Sequence, residues 1–143
     1  MRPEQIDILR GKLCIGMHRD VEVTEADGEH RPVVSQAFCS ALPVAYTAIP
    51  ASHWEPFASL ILEAAYEATI WGAVLNARQV GSNIVLLTLL GGGAFGNGED
   101  WILAAVRRAL ELASGSGIDV RIVSYGAPRE SLLRLAEDFA ATN

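Results

Sequence analysis

The sequence predicts an α/β domain, a three-layer sandwich in which helices cover a mixed sheet of about four to five strands. Three observations lead there. Apolar runs of strand length alternate with longer segments whose apolar residues recur at three- and four-residue steps. The run over residues 82–90 passes straight into glycines and then into a helix start, "SNIVLLTLLGGGAFGNGEDW". The length of 143 residues is that of one domain, so residues 1–143 are read as a single unit without internal repeats. Strands alternating with helices imply parallel crossovers, and in such sheets ligands sit beyond the carboxyl ends of the strands.

Residues 12–25 alternate in two phases, with Leu13, Ile15 and Met17 before Val21 and Val23, which predicts one bent strand or two short ones. "EADGEHRP" carries an Asp27-Gly28 turn signal and reads as a hairpin connection. Residues 32–40, "PVVSQAFCS", read as a second strand covered on both faces. Pro43 and Pro50 then exclude a regular helix and predict a structured loop. From Trp54 or Pro56 to about Arg78 the pattern is helical, capped by Ser52, with Phe57, Leu60, Ile61, Ala64, Ala68, Trp71 and Leu75 on one face. Residues 83–90 read as a central strand. A helix over 99–114 buries Ile102, Val106, Ala109, Leu110 and Ala113, has acids at its start as the helix dipole favours, and ends at "SGSG". Residues 118–124 form a last strand and 128–141 an amphipathic helix through Leu132, Leu133, Leu135 and Phe139.

The net charge of −6 argues against a nucleic-acid surface. The acidic and basic residues Glu55, Glu63, Glu67 and Arg78 interrupt the longest helical stretch, so no membrane segment is expected. The first twelve residues have no apolar core, hence no secretion signal, and a cytoplasmic location is the default. Cys14 and Cys39 read as buried free thiols. Half the residues are hydrophobic, which for so small a domain points to surface hidden against another subunit, in a homo-oligomer or with a partner chain.

The chemistry concentrates in residues 91–97. Gly91, Gly92, Gly93, Ala94, Phe95, Gly96 and Asn97 are the candidate ligand-binding residues: small side chains leave successive backbone N–H groups free, and the following helix aims its positive end at the same place. A tight strand-to-helix turn would use the same glycines, and Phe95 would serve core packing as well as a ligand. Glu99 and Asp100 already sit at the positive helix end, so they either turn away or compete with an anion. Glu63 and Glu67, four apart on one helix face, have the spacing of carboxylates that share a proton or a metal, and also that of a solvated face. Glu67 and Asp100 are the candidate catalytic carboxylates. His18, Asp20, Cys39 and His53 lack metal-ligand spacing, and Ser40 lacks a nucleophile elbow; no metal and no cofactor is expected.

The stretch "VLLTLLGGGAFGNGEDWILAAVRRALELASGSGIDVRIVSY" resembles the second half of a macro domain, the ADP-ribose-binding fold. The resemblance implies that Gly91, Gly93, Ala94 and Gly96 wrap a diphosphate with backbone amides and that Phe95 lies against the distal ribose. The family's Asn-Ala-Ala-Asn segment and Gly-Asp-Ile-Thr stretch have no counterpart here, so Asp20 in "HRDVEVT" does not inherit the adenine contact. The triple glycine also resembles that of poly(ADP-ribose) glycohydrolases, but "NGED" stands where that family has Gln-Glu-Glu. The segments "VSQAFCSALPVAY", "WEPF" and "LEAAYEAT" resemble the C-terminal part of a longer group of macro-like proteins, which implies half of a larger fold and a cleft open on one side or closed by another chain. The expected activity is binding of ADP-ribose or a related nucleotide diphosphate, with ADP-ribosyl hydrolysis as an extension. The competing expectation is a non-catalytic interaction module or homodimer whose glycine loop is structural.

Overall fold

The computed structural model describes residues 2–25 and 31–140, and the Asp27-Gly28 turn lies outside them. The order is α1 (Pro3–Arg10), β1 (Gly16–Glu22), β2 (Val33–Phe38), a 3₁₀ turn (Val44–Tyr46), α2 (Ala51–Val80), β3 (Ile84–Leu87), α3 (Glu99–Leu112), β4 (Asp119–Ile122) and α4 (Glu130–Ala140). The chain is therefore mixed α/β. Its four described strands do not join in one sheet: β1 pairs antiparallel with β2, and β3 pairs parallel with β4.

The bend foreseen in the first strand is real. The register of β1 against β2 shifts between His18 and Val21, and Asp20 sits at φ 55°, a left-handed conformation that aspartate tolerates better than most residues. Cys14 lies ahead of β1 and is exposed, while Cys39 is half-buried just past β2, so neither is the fully buried thiol that a strand position implied. α1, not legible as a helix beforehand, begins at Pro3, where proline is tolerated; the Gln5 side chain accepts the Arg2 N–H at 3.1 Å.

α2 is the spine. It starts at Ala51, earlier than expected and without a side-chain cap, and it carries Pro56 inside its second turn. Ala58, Leu60, Leu62, Ala64, Ala65, Tyr66, Ile70 and Val74 are its buried residues, whereas Phe57, Trp71 and Leu75 are exposed. Of the face expected to be buried, Leu60 and Ala64 are buried and Phe57, Trp71 and Leu75 are not, because the helix is apolar around most of its circumference and periodicity alone does not choose a side. By length and composition Ala51–Gln79 is also sufficient to cross a bilayer, despite its charged residues.

Leu62, Tyr66 and Ile70 of α2 meet Ile102, Ala105, Val106 and Ala109 of α3, with Val85 and Leu87 of β3 and Leu135 of α4 closing the core. α4 lies along α3, held by Arg129 and Ser131 on Glu99 and by Arg107 on Asp138, with the Arg107 guanidinium 5.7 Å from the Phe139 ring centroid. The other sides of the strands are bare. Side chains alternate across a strand, so Ile84 and Leu86 point away from the core and are 49% and 65% exposed. β2 repeats the pattern: Ser35 reaches Asn76 of α2 at 3.0 Å, while Val34 and Phe38 are exposed. Neither β2 nor β3 is covered on both faces as expected.

Candidate ligand site at the glycine loop

Beyond Leu87 the chain leaves β3 under the control of one side chain. The Tyr66 hydroxyl donates to the Thr88 carbonyl at 2.7 Å and accepts the Leu90 N–H at 2.7 Å. The glycine loop then folds on itself, with Gly92 N–H on Leu89 O (3.2 Å), Gly96 N–H on Gly93 O (3.0 Å) and Asn97 N–H on Gly91 O (3.0 Å).

Two of the glycines are explained by packing. Gly91 has φ 76°, and a Cβ there would stand 2.4 Å from the Ala41 Cβ and 2.6 Å from Asn97 Nδ2. Gly96 has φ 69° with the Ala45 Cβ 2.8 Å from the same hypothetical atom. The loop is pressed against residues 41–46, to which Ala45 N–H on Phe95 O (2.9 Å) and Asn97 Nδ2 on Leu42 O (2.8 Å) fasten it. Asn97, foreseen as a ligand contact, is 6% exposed and is foremost this clamp, although its Oδ1 has no hydrogen-bond partner. Gly93 differs: a Cβ there would meet nothing within 4 Å. Gly93, Ala94 and Phe95 carry three successive N–H groups that donate to no protein acceptor among the described residues. They lie past the carboxyl end of β3 and before the N-terminus of α3, where backbone dipoles favour an anion.

Phe95 is half-buried, packed against the core and edge-on to Tyr46 with ring centroids 5.8 Å apart. Tyr46, 68% exposed, was not singled out in the sequence; an aromatic in a proline-bounded loop was its only signal. Glu99 turns from the loop to α4, where hydrogen bonds from Ser131 and Arg129 hold its carboxyl below the usual range. Asp100 stays: its Oδ1 lies 2.6 Å from where a Gly98 Cβ would be, so a negative charge remains at the helix start.

The other candidates are not brought to this loop as a group. Glu63 pairs with Arg10 and Glu67 with Arg108, so the two carboxylates are neutralised by separate cations and share neither proton nor metal. Cys39 Sγ is 3.9 Å from Thr69 Oγ1, and the Ser40 hydroxyl donates to Ala41 O at 3.1 Å; neither has a histidine partner among the described residues. His18 lies on β1 with its ring 6.3 Å from that of Phe38, and His53 is exposed in the first turn of α2. No metal-holding cluster occurs among the described residues. No protein-family model, curated protein or solved structure matches the chain.

Proposed function

We propose that the chain binds the diphosphate of ADP-ribose, or of a related nucleotide diphosphate, at Gly93, Ala94 and Phe95. The observation that carries this reading is the run of three unpaired amide N–H groups between a strand end and a helix start. Such groups exposed without an acceptor suit phosphate oxygens, and they need no lysine. Tyr46 and Phe95 form the aromatic edge against which a ribose packs. In this reading the architecture is macro-like, and the full three-layer sandwich requires a second layer over the face bearing Ile84 and Leu86. Hydrolysis, if the site performs it, falls to Asp100, because Glu67 is engaged with Arg108.

The test is calorimetric titration with ADP-ribose, using ADP and AMP as comparators. Affinity tighter than ~100 μM, about −5.5 kcal/mol, with ADP-ribose bound more strongly than ADP, supports the reading. Absence of heat from the folded chain with all three sinks it. Gly93→Ala sharpens the result: the fold has space for the methyl group, so lost binding at unchanged stability points to a ligand lying against that backbone.

A second reading has its own observation. Val34, Ile84 and Leu86, exposed and lining one groove, make an apolar surface of the kind that marks an interface, and a module using it would need no ligand at the glycines. The oligomeric mass across a concentration series tests the homodimer version.

A further inference from the structure

We infer that the groove between β2 and β3 accepts one extended strand from a different polypeptide, joining the two sheets into one. This goes beyond nucleotide binding and does not depend on it. The groove, about 400 Å³, is walled by Val34 and Ala37 on one side and Ile84 and Leu86 on the other, with Gly72 and Ala73 of α2 among the residues beneath.

The backbone gives the first reason. Asn83 O and Leu87 O accept Asp119 N–H and Val123 N–H from the β4 side. In a parallel ladder alternate residues face opposite edges, so the N–H and C=O groups of Ile84 and Leu86 face away from β4. No strand pairs with that edge of β3 or with the far edge of β2 among the described residues. Unpaired strand edges are templates for β-augmentation.

The floor gives the second. At its base the small Ala73 leaves room for another backbone over α2, beside Met17, whose Cε and Sδ stand 3.2 and 3.4 Å from where a Gly72 Cβ would be. An inserted strand lies over α2 on one face, where Thr69 and Asn76 join Ala73 in the lining, and has the exposed Val34 and Leu86 as cross-strand neighbours on the other, so its sequence is rich in apolar residues.

Charge decides the source. Both walls are anchored, β2 to α2 through Ser35 and Asn76 and β3 in the core through Val85 and Leu87. A second copy offering its own β3 edge carries the same net charge of −6 and is disfavoured by repulsion, whereas a lone extended segment with basic flanks is attracted. The chain's net charge of −6 favours basic residues flanking the apolar run.

The experiment uses the full chain and a panel of eight-residue peptides with alternating Val and Ile between terminal lysines, read by NMR amide exchange. The expected result is slowing of the Ile84 and Leu86 amides by about tenfold or more on peptide addition, with little change at Val85 and Leu87. The same peptides N-methylated at alternate residues should give no slowing, and Leu86→Lys, at an exposed position, should weaken the effect while leaving the far-ultraviolet spectrum unchanged. No protection at millimolar peptide, or equal protection by N-methylated peptides, overturns the inference. So does peptide-free protection of Ile84 and Leu86 that rises with concentration alongside a dimeric mass, because the occupant is then a second copy.

Discussion

Tyr66→Phe removes one oxygen at the junction of β3 and the glycine loop. That oxygen makes two hydrogen bonds, to Thr88 O and from Leu90 N–H, both 2.7 Å long. A typical intramolecular bond contributes ~0.5–1.5 kcal/mol net, and a buried group left unpaired costs about 1–3 kcal/mol. Thr88 is exposed, so water can replace its half; Leu90 is half-buried and has less access to water. The expected loss is therefore about 2 kcal/mol in urea unfolding at neutral pH. The pH dependence provides an independent signature. Burial pushes the Tyr66 hydroxyl up to about 12 from its ordinary 10, opposed by the Leu90 hydrogen bond and reinforced by Cys39. Because the folded value lies above the unfolded one, this contribution is fully present below pH ~10 and is lost as pH rises towards ~12. Two pKa units correspond to about 3 kcal/mol. The phenylalanine variant has no such loss, so the stability gap between the two proteins should narrow as pH rises from 9 to 11.5. A gap that stays constant over that range, or a loss under ~0.5 kcal/mol at neutral pH, would refute the assignment of Tyr66 as the tether of the strand end.

Gly96→Ala should destabilise by about 1–3 kcal/mol, combining a left-handed φ with a clash against Ala45, and Gly91→Ala should cost more, whereas Gly93→Ala should be near neutral; thermal unfolding of the three variants ranks them. Glu67→Gln should change stability by less than ~1 kcal/mol, as expected for a part-exposed ion pair, and leave any ADP-ribose affinity intact; a large loss of binding would restore Glu67 as a site residue. Asp100→Asn should tighten ADP-ribose binding by about two- to fivefold, the size of a charge effect at a helix end, and weaker binding would mean that the carboxylate contacts the ligand productively. The Glu99 links to Ser131 and Arg129 stabilise above the ordinary carboxylate range and are lost as pH falls through the lowered folded value, so the stability gap between the parent and Glu99→Gln should close on acidification, and acid melting of α4 followed by NMR should begin at a higher pH in the variant than in the parent.

From β1 onward the strand and helix order was legible because turn residues and periodicity are local, whereas the short α1 carried no such signal. What the strands pair with is not local. Ile84, Val85, Leu86 and Leu87 are all apolar, the pattern of a strand covered on both faces, yet only Val85 and Leu87 are buried. The reading as a central strand was therefore faithful to the residues and differed from the observed packing for want of a second covering layer. α2 failed for the opposite reason: with apolar residues all round, Phe57, Trp71 and Leu75 were as plausible inward as Leu62 and Ile70. At the glycine loop, spacing marked the right segment but could not separate Gly91 and Gly96, whose freedom serves contact with Ala41 and Ala45, from Gly93, whose surroundings are open. Tyr66 escaped notice because its partners, Thr88 and Leu90, are more than twenty residues away in the chain.

The α2 tyrosine that holds the end of β3 also sets a limit on recognition. Its hydroxyl takes the Thr88 carbonyl, leaving Ile84 and Leu86 as the β3 residues with both backbone groups turned outward. So short a ladder carries little free energy by itself, since each bond nets only ~1 kcal/mol. A visitor to this edge is consequently selected by how much oil it covers and discriminated by shape, while the backbone bonds set its alignment. Tight association would demand a second point of attachment on the bare face, and a short peptide alone should come and go quickly.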